Sequence, residues 1–406
     1  MIHYITPQGL HDAWVGNELR IVQEAKVPFV LHAMREPGRK FFKSDWAKKL
    51  SEETKYLYPL PFVGTIVSLL LAPFLFGGRF FSALFNAIFG KRESMRARIA
   101  TFFHFIAAVH WARGLRSGEP VTHIHSQWIH SGGSIGMYGA WLLGKSFSFT
   151  GHAADLFRNR AALDDKIKRA DFIICISSFH RQFYLDNGAR PEQLHIAYCG
   201  IDTSLFSPAR RERQPDEPYT IISAGRLVEK KGFEYLIDAC KILSDRGVDY
   251  ACKIEGSGPL DEALRARVKS LGIDDRVKLT GKVIAQEDIP GFMNSGDVYC
   301  LPCVWAADND VDGLPQMIME GMACGVPAIS TRLVGIPDLI EDGVSGLLCD
   351  PNNAEQLADK IVELMNDDEL ATKLSEGARK MITEKFDISV CLEPLLNQYR
   401  AKLNMD

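Results

Sequence analysis

The strongest constraint in this sequence is a rhythm. Short apolar, β-prone runs end in glycine or a turn residue, and helical spacing follows most of them. Residues 1–6 (MIHYIT) form the first run, broken by Pro7, Gln8 and Gly9. Residues 12–25 then carry Trp14, Leu19, Val22 and Ala25 at helical spacing, and Val27 to Met34 is a second apolar run. A strand–helix–strand opening predicts a parallel sheet. The rhythm returns from Val121 through HIHSQWI, SFSFTGH, FIICIS and LHIAYCG. Residues 210–218 (RRERQPDEP) are charged, proline-interrupted and free of apolar residues, as a linker would be. A fresh series follows: TIISAG, ACKIEG, RVKLTG, DVYCLP, PAIST and SGLLCD. One hydrophobic core rarely grows past roughly 250–300 residues, and the chain has 406. The expectation is an α/β protein of two tandem, doubly wound Rossmann-like domains. No short fixed period is present.

Composition narrows the function classes. A net charge of −4 gives no reason to expect nucleic-acid binding. Nine cysteines, an odd and scattered set, are not a disulfide framework and suit a reducing compartment. The opening residues lack a basic stretch followed by an apolar run, so a secretory signal is not expected.

Residues 56–78 depart from the rhythm. Between Lys55 and Arg79 lie 23 residues without a charge. The length suits a transmembrane helix, but a span here would split the first sheet across a membrane. Pro59, Pro61 and Pro73 also interrupt the run. Two readings remain, a buried helical pair and an interfacial hairpin. The hairpin is favoured because Phe74, Phe76, Phe80, Phe81, Phe85 and Phe89 alternate with Arg79, Lys91 and Arg92. Arg96 and Arg98 extend that basic flank.

Ligands of open α/β sheets sit at the carboxyl ends of the strands, and chemistry-bearing residues recur there. TIISAG is followed by Arg226 and then Lys231-Gly232, two cations suited to a diphosphate. ACKIEG ends at Gly256 and continues Ser257-Gly258-Pro259, where backbone N–H groups can approach an anion. Residues 308–313 (DNDVDG) begin like a calcium loop, but its twelfth position, which needs a glutamate, is Met319. Asp308 and Asp310 could also form an Asp-x-Asp metal site of a single-domain architecture, which the tandem domains argue against. Gly313-Leu314-Pro315 opens a helix, with Asp312 at its edge and Glu320 two turns on. The helix start can meet phosphate or sugar oxygens, and the carboxylates can hold hydroxyls. Cys300 and Cys303 form a lone CxxC, which reads as structural. His123 and His125 share one strand face and read, with His130, as packed residues. Leu392, Leu395, Leu396 and Tyr399 form an apolar helical face near the carboxyl end.

The stretch from Ser223 to Pro351 resembles the C-terminal domain of the family 4 retaining glycosyltransferases of GT-B fold. The matching pieces are AGRLVEKKGFEYLI, IEGSGP, VKLTGKV and DGLPQMIMEGMACGVPAISTRLVGIPDLIEDGVSGLL. Asp312 stands where the family's Glu-x7-Glu motif has its first glutamate, and Glu320 is the second. HIHSQW, FSFTGHAADLF and the run from Trp14 to Leu19 are similar to members that build exopolysaccharides, the colanic-acid enzymes among them.

The resemblance implies an enzyme that moves a sugar from a UDP- or GDP-sugar with retention of configuration and no required metal or other cofactor. The acceptor would be a saccharide or a polyprenyl-linked one. The protein would be cytoplasmic and peripheral on the inner membrane face. It places Arg226, Lys231, Asp312, Glu320 and the active-site histidine His152 in catalysis. Gly9 would lie beneath the donor, and Gly256, Gly258, Val283, Gly313, Leu314 and Pro315 around it. It assigns residues 1–209 to an acceptor-binding domain with a hydrophobic insertion at 56–90, and 210–385 to a nucleotide-sugar domain. Residues 386–406 would form a helix crossing back onto the first domain. The alternatives are a nucleotide-sugar 2-epimerase on the same fold and a non-catalytic assembly partner.

Overall fold

The computed structural model describes residues 1–10, 13–37, 44–158, 160–208, 211, 213–214 and 216–405. It divides into two compact units, Met1–Tyr198 with Leu392–Asp406, and Cys199–Cys391. The first unit holds a seven-stranded parallel sheet of β1 (Ile2–Thr6), β2 (Phe29–Ala33), β3 (Lys55–Tyr56), β4 (His123–Gln127), β5 (Ser146–Gly151), β6 (Phe172–Cys175) and β7 (Leu194–Ile196), in the order β3-β2-β1-β4-β5-β6-β7. The second holds β8 (Tyr219–Ala224), β9 (Tyr250–Glu255), β10 (Val277–Leu279), β11 (Val298–Leu301), β12 (Ala328–Thr331) and β13 (Leu347–Cys349), in the order β10-β9-β8-β11-β12-β13. Both orders reverse direction beside the first strand of their series, which is the doubly wound pattern.

The charged stretch 210–218 does not mark the division, and residues 210, 212 and 215 lie outside the described set. The chain has already entered the second unit by Ile201, whose N–H donates to Phe386 O at 3.0 Å and whose carbonyl accepts from Ile388 N at 2.9 Å. Arg211 then pairs with Glu217 and Asp297 of the same unit. Those ion pairs fix Arg211 within a stretch that composition reads as a linker.

The carboxyl-terminal helix Glu393–Leu403 belongs to the first unit. Leu395, Leu396 and Tyr399 are buried there, and Tyr399 donates to the Tyr4 hydroxyl on β1 at 2.6 Å.

The uncharged segment folds as helix Phe62–Phe76, which contains Pro73, followed by helix Gly78–Phe89, and the long helix Met95–Leu115 comes next. No helix among the described residues is long and apolar enough to cross a membrane. Ser68, Ala72, Phe76, Phe80, Ala83 and Ala87 face inward, and all but Ser68 belong to the unit's core. The small residues allow the hairpin to approach closely. The opposite faces are not core. Phe62, Leu70, Phe74, Phe81, Phe85 and Phe89 are exposed, and the long helix adds Met95, Ile99 and Phe103. The segment is therefore core on one side and an apolar surface on the other.

One part of the basic flank is corrected. Arg92 is buried, donating to Asp165 at 2.8 Å, to Tyr138 at 3.0 Å and to Asn86 at 3.1 Å. Partners distant in sequence compensate its desolvation, and it is not a surface cation. Arg79, Lys91 and Arg96 are exposed.

Candidate functional site

In the second unit the carboxyl ends of β8 and β9 open on a cavity of about 470 Å³. Arg226, Gly256, Gly258 and Val283 line it, with Ile284, Ile289 and Met317 supplying an apolar wall. The two glycines are steric requirements. A Cβ at Gly256 would stand 1.9 Å from Gly225 O, and one at Gly258 would stand 2.4 Å from Leu227 O. Only glycine lets the β8 and β9 loops come this close. Gly256 also holds φ at +150°.

A buried charge cluster is built from the same βα loop. Lys231 pairs with Asp312 Oδ2, and Lys230 reaches Asp312 Oδ1 at 3.1 Å and Asp310 Oδ1 at 3.1 Å. Burial pushes the Asp312 carboxyl up, but Lys231 and Lys230 more than offset this and hold it below the usual range. Burial likewise pulls Lys231 down, and Asp312 more than reverses it. Both stay charged near neutrality. Both oxygens of Asp312 are thus committed to lysines, where the Glu-x7-Glu comparison suggested a hold on donor hydroxyls. Lys230 carries no distinguishing sequence signal beyond adjacency to Lys231, and only the fold reveals its part.

Pro315 precedes helix Gln316–Ala323, whose first N–H groups have no side-chain cap among the described residues. Leu314 is buried, and Gly313 O accepts from Gly335 N at 3.1 Å. Glu320 is buried on this helix, and its Oε2 has no hydrogen-bond partner among the described residues. Burial raises its pKa to about 7, with Lys231 acting in the opposite sense. An unpartnered buried carboxylate oxygen costs roughly 1–3 kcal/mol or more and is the arrangement expected of a group awaiting a ligand.

Asp308 accepts from Asp310 N at 3.0 Å and Asp310 is paired with Lys230. Among the described residues no group of three or more His, Cys, Asp or Glu could hold a metal ion. Cys300 and Cys303 are free and buried.

The first unit holds a separate constellation. Gly9 sits after β1 at φ +60°. His152 follows β5 and is buried against two neighbouring indoles, with ring centroids 4.3 Å from Trp14 and 4.6 Å from Trp128. Burial drives its pKa down to about 3, so the ring is neutral. Its Nε2 lies 3.2 Å from Gln127 Oε1, and Gln127 Nε2 donates to Glu18 Oε2 at 2.5 Å. Asp155 accepts from Ile129 N at 2.9 Å and from His152 N at 3.4 Å, which ties the two loops together. His123 bonds Ser146 and Ser148, and His125 bonds Ser148 and Thr150, so both are satisfied packing residues. Gln127 and Trp128 are invisible as functional residues in sequence, where they read only as the end of an alternating strand.

Two doubly wound parallel-sheet units, with the cavity and cation cluster at strand carboxyl ends, define the architecture of the GT-B glycosyltransferases. Solved structures with this fold include a glycosyltransferase from Rickettsia africae, 16% identical with TM-score 0.69, covering 100% of this chain and 99% of that one. Another is HepE from Anabaena solved with UDP, 17% identical with TM-score 0.68 over 99% of each chain.

Residues 208–381 match the family Glycosyl transferases group 1, and residues 77–205 match Glycosyltransferase Family 4. Between them the two matches, each to a glycosyltransferase family, span most of the chain. WcaL of Escherichia coli, by name a colanic acid biosynthesis glycosyltransferase, is 34% identical over 58% of this chain and 57% of its own length. The amylovoran biosynthesis glycosyltransferase AmsK of Erwinia amylovora is 30% identical over 60% of this chain and 61% of its own. The matched stretch thus spans less than two thirds of these relatives.

Proposed function

We propose that this chain transfers a sugar from a nucleotide-sugar to a saccharide acceptor in the assembly of an exopolysaccharide, with retention of configuration and without a metal ion. The observation that carries the reading is Glu320, a buried carboxylate with an unpartnered oxygen, on a helix whose Met317 lines the second unit's cavity. A ribose would give that oxygen its missing hydroxyl donor. The base would rest against Val283, Ile284 and Ile289, and the glycine loops leave room for the backbone to meet phosphate. Lys231 and Arg226, with the uncapped helix start, would stabilise charge on the departing diphosphate, and Asp312 would hold the lysines in place. The diphosphate itself can then take the acceptor proton. HepE is described with UDP and with UDP-glucose, and a mycobacterial relative is described as GDP-mannose-dependent. Either nucleotide suits the cavity's apolar wall.

The acceptor belongs to the first unit in this reading and is lipid-linked. The exposed phenylalanine face of residues 62–103 supports this, as does its edge of Arg79, Lys91 and Arg96. An apolar patch rimmed by cations suits the headgroup region of an anionic leaflet, here the cytoplasmic face of the cell membrane. A panel of UDP- and GDP-sugars scored by thermal stabilisation identifies the donor, since binding to the folded state raises apparent stability. Proton NMR of the product then reads the anomeric configuration. Absence of stabilisation by every nucleotide-sugar, or an inverted product, would refute the reading.

A further inference from the structure

We infer that Glu18 is a positioning residue that fixes, through Gln127, which nitrogen of His152 carries its proton. The inference rests on the transferase reading for its consequence, but its geometry is independent of it. Burial raises the Glu18 pKa to about 7, so at about pH 8 its carboxyl is ionised and has only acceptors. The Gln127 atom 2.5 Å from Glu18 Oε2 is therefore the amide nitrogen, and the amide oxygen is turned toward His152. An amide oxygen also only accepts, so His152 Nε2, 3.2 Å away, must be the protonated nitrogen. A neutral imidazole carries one N–H. Nδ1 is then left with its lone pair.

The rest of the chain of contacts keeps Glu18 in that role. Its Oε1 accepts from the Tyr4 hydroxyl at 3.2 Å, and Tyr4 in turn accepts from Tyr399 at 2.6 Å. Each hydroxyl proton therefore points toward the carboxylate. Glu18, Gln127, Tyr4 and Tyr399 are all buried, so water cannot substitute for a missing partner. Trp14 and Trp128 pack against the ring, inclined at 45° and 40° to it, and restrict its rotation. The carboxyl-terminal helix, through Tyr399, thereby helps decide the state of a histidine on the β5 loop. His152 Nδ1 is thereby left as a hydrogen-bond acceptor, the partner a sugar hydroxyl would need.

The test is nitrogen-15 NMR of histidine-labelled protein at about pH 8, paired with steady-state kinetics. The expected wild-type signal is a protonated Nε2 and an unprotonated Nδ1 for His152. In Glu18→Gln the Gln127 amide is free to turn, and both tautomers should appear. Turnover should fall about tenfold with the donor KM within about twofold, because the loss is one of orientation and not of donor contacts. A wild-type His152 protonated on Nδ1 overturns the inference, even where the variant fails to fold. So does a Glu18→Gln protein that keeps the single Nε2–H form at full turnover. Should the wild-type chain transfer no sugar, the transferase reading fails, while the spectrum still decides the tautomer.

Discussion

Phe74 and Phe76 stand two residues apart on helix Phe62–Phe76 and should behave as opposites. Phe74 is 87% exposed and Phe76 is 7% exposed. Moving an exposed aromatic ring into lipid is worth about 2 kcal/mol, within the range for burying a phenylalanine side chain. Phe74→Glu should therefore weaken binding to anionic vesicles about thirtyfold, since 1.4 kcal/mol is a factor of ten. Phe62, 79% exposed, and Phe85, 66% exposed, lie on the same apolar surface. Replacing all three by glutamate removes roughly 6 kcal/mol, a loss on the order of ten-thousandfold. Folding should be nearly unaffected, because none of the three rings is in the core. Phe76→Glu buries an unpaired charge and should unfold the first unit. Vesicle flotation at low and high salt, with thermal melts of each variant, reads both quantities. Added salt should release much of the wild-type protein, as expected for cation attraction to a charged surface. Wild-type protein that stays in solution at low salt would sink the membrane role. A triple variant that floats as well as wild type would do the same.

Lys231→Ala should lower turnover by on the order of a hundredfold or more, the range for losing one preorganised charge donor. It should also lower the melting temperature, because buried Asp312 keeps only Lys230. Arg226→Ala should cost similar turnover with no change in melting, since its side chain is exposed at the cavity. Near-normal steady-state rates in either variant would defeat the diphosphate role. Glu320→Gln tests a linkage. The folded pKa of about 7 stands above the ordinary glutamate value, so the folded state holds a proton that the unfolded chain has released. This carboxyl's effect on stability therefore worsens as pH rises from about 4.5 to about 7 and is constant above. Glu320→Gln should melt higher than wild type at about pH 8, by at most roughly 3 kcal/mol, and equally at about pH 4. Its donor affinity should fall with turnover at saturation nearly kept, and melts that shift equally at both pH values would refute the burial argument. Activity should survive a chelator, because Asp310 is already paired with Lys230. Loss of activity restored by magnesium or manganese would revive a metal at Asp308 and Asp310.

Much of the architecture was legible before any coordinates because its signals are local. Alternating apolar runs closed by glycine mark strands such as Tyr219–Ala224 and Tyr250–Glu255, and parallel-sheet logic points to the loops after them. That logic pointed to Arg226, Gly256 and Gly258, the family resemblance added Val283, and all four line one cavity. The two-residue strand Lys55–Tyr56 was not legible, being too short to show any alternation. Arg92 was misread for a different reason. In sequence it extends a basic run, and nothing nearby announces that Asp165 and Tyr138 will surround it.

The sequence by itself determined two parallel-sheet units, the loops that carry the cations and glycines, and an apolar segment too distinct to be an ordinary loop. Only the tertiary structure decided which side of that segment is core. Sheet order also set which polar groups meet. Lys230 and Asp310 are 80 residues apart, and Glu18 and Gln127 are 109 apart. A carboxylate's hydrogen-bonding state depends on its desolvation and on the donors brought to it, and both are properties of the folded neighbourhood. Asp312 tied to two lysines and Glu320 left with an open oxygen are eight positions apart on one short stretch of chain, and their difference lies wholly in what the fold packs against each.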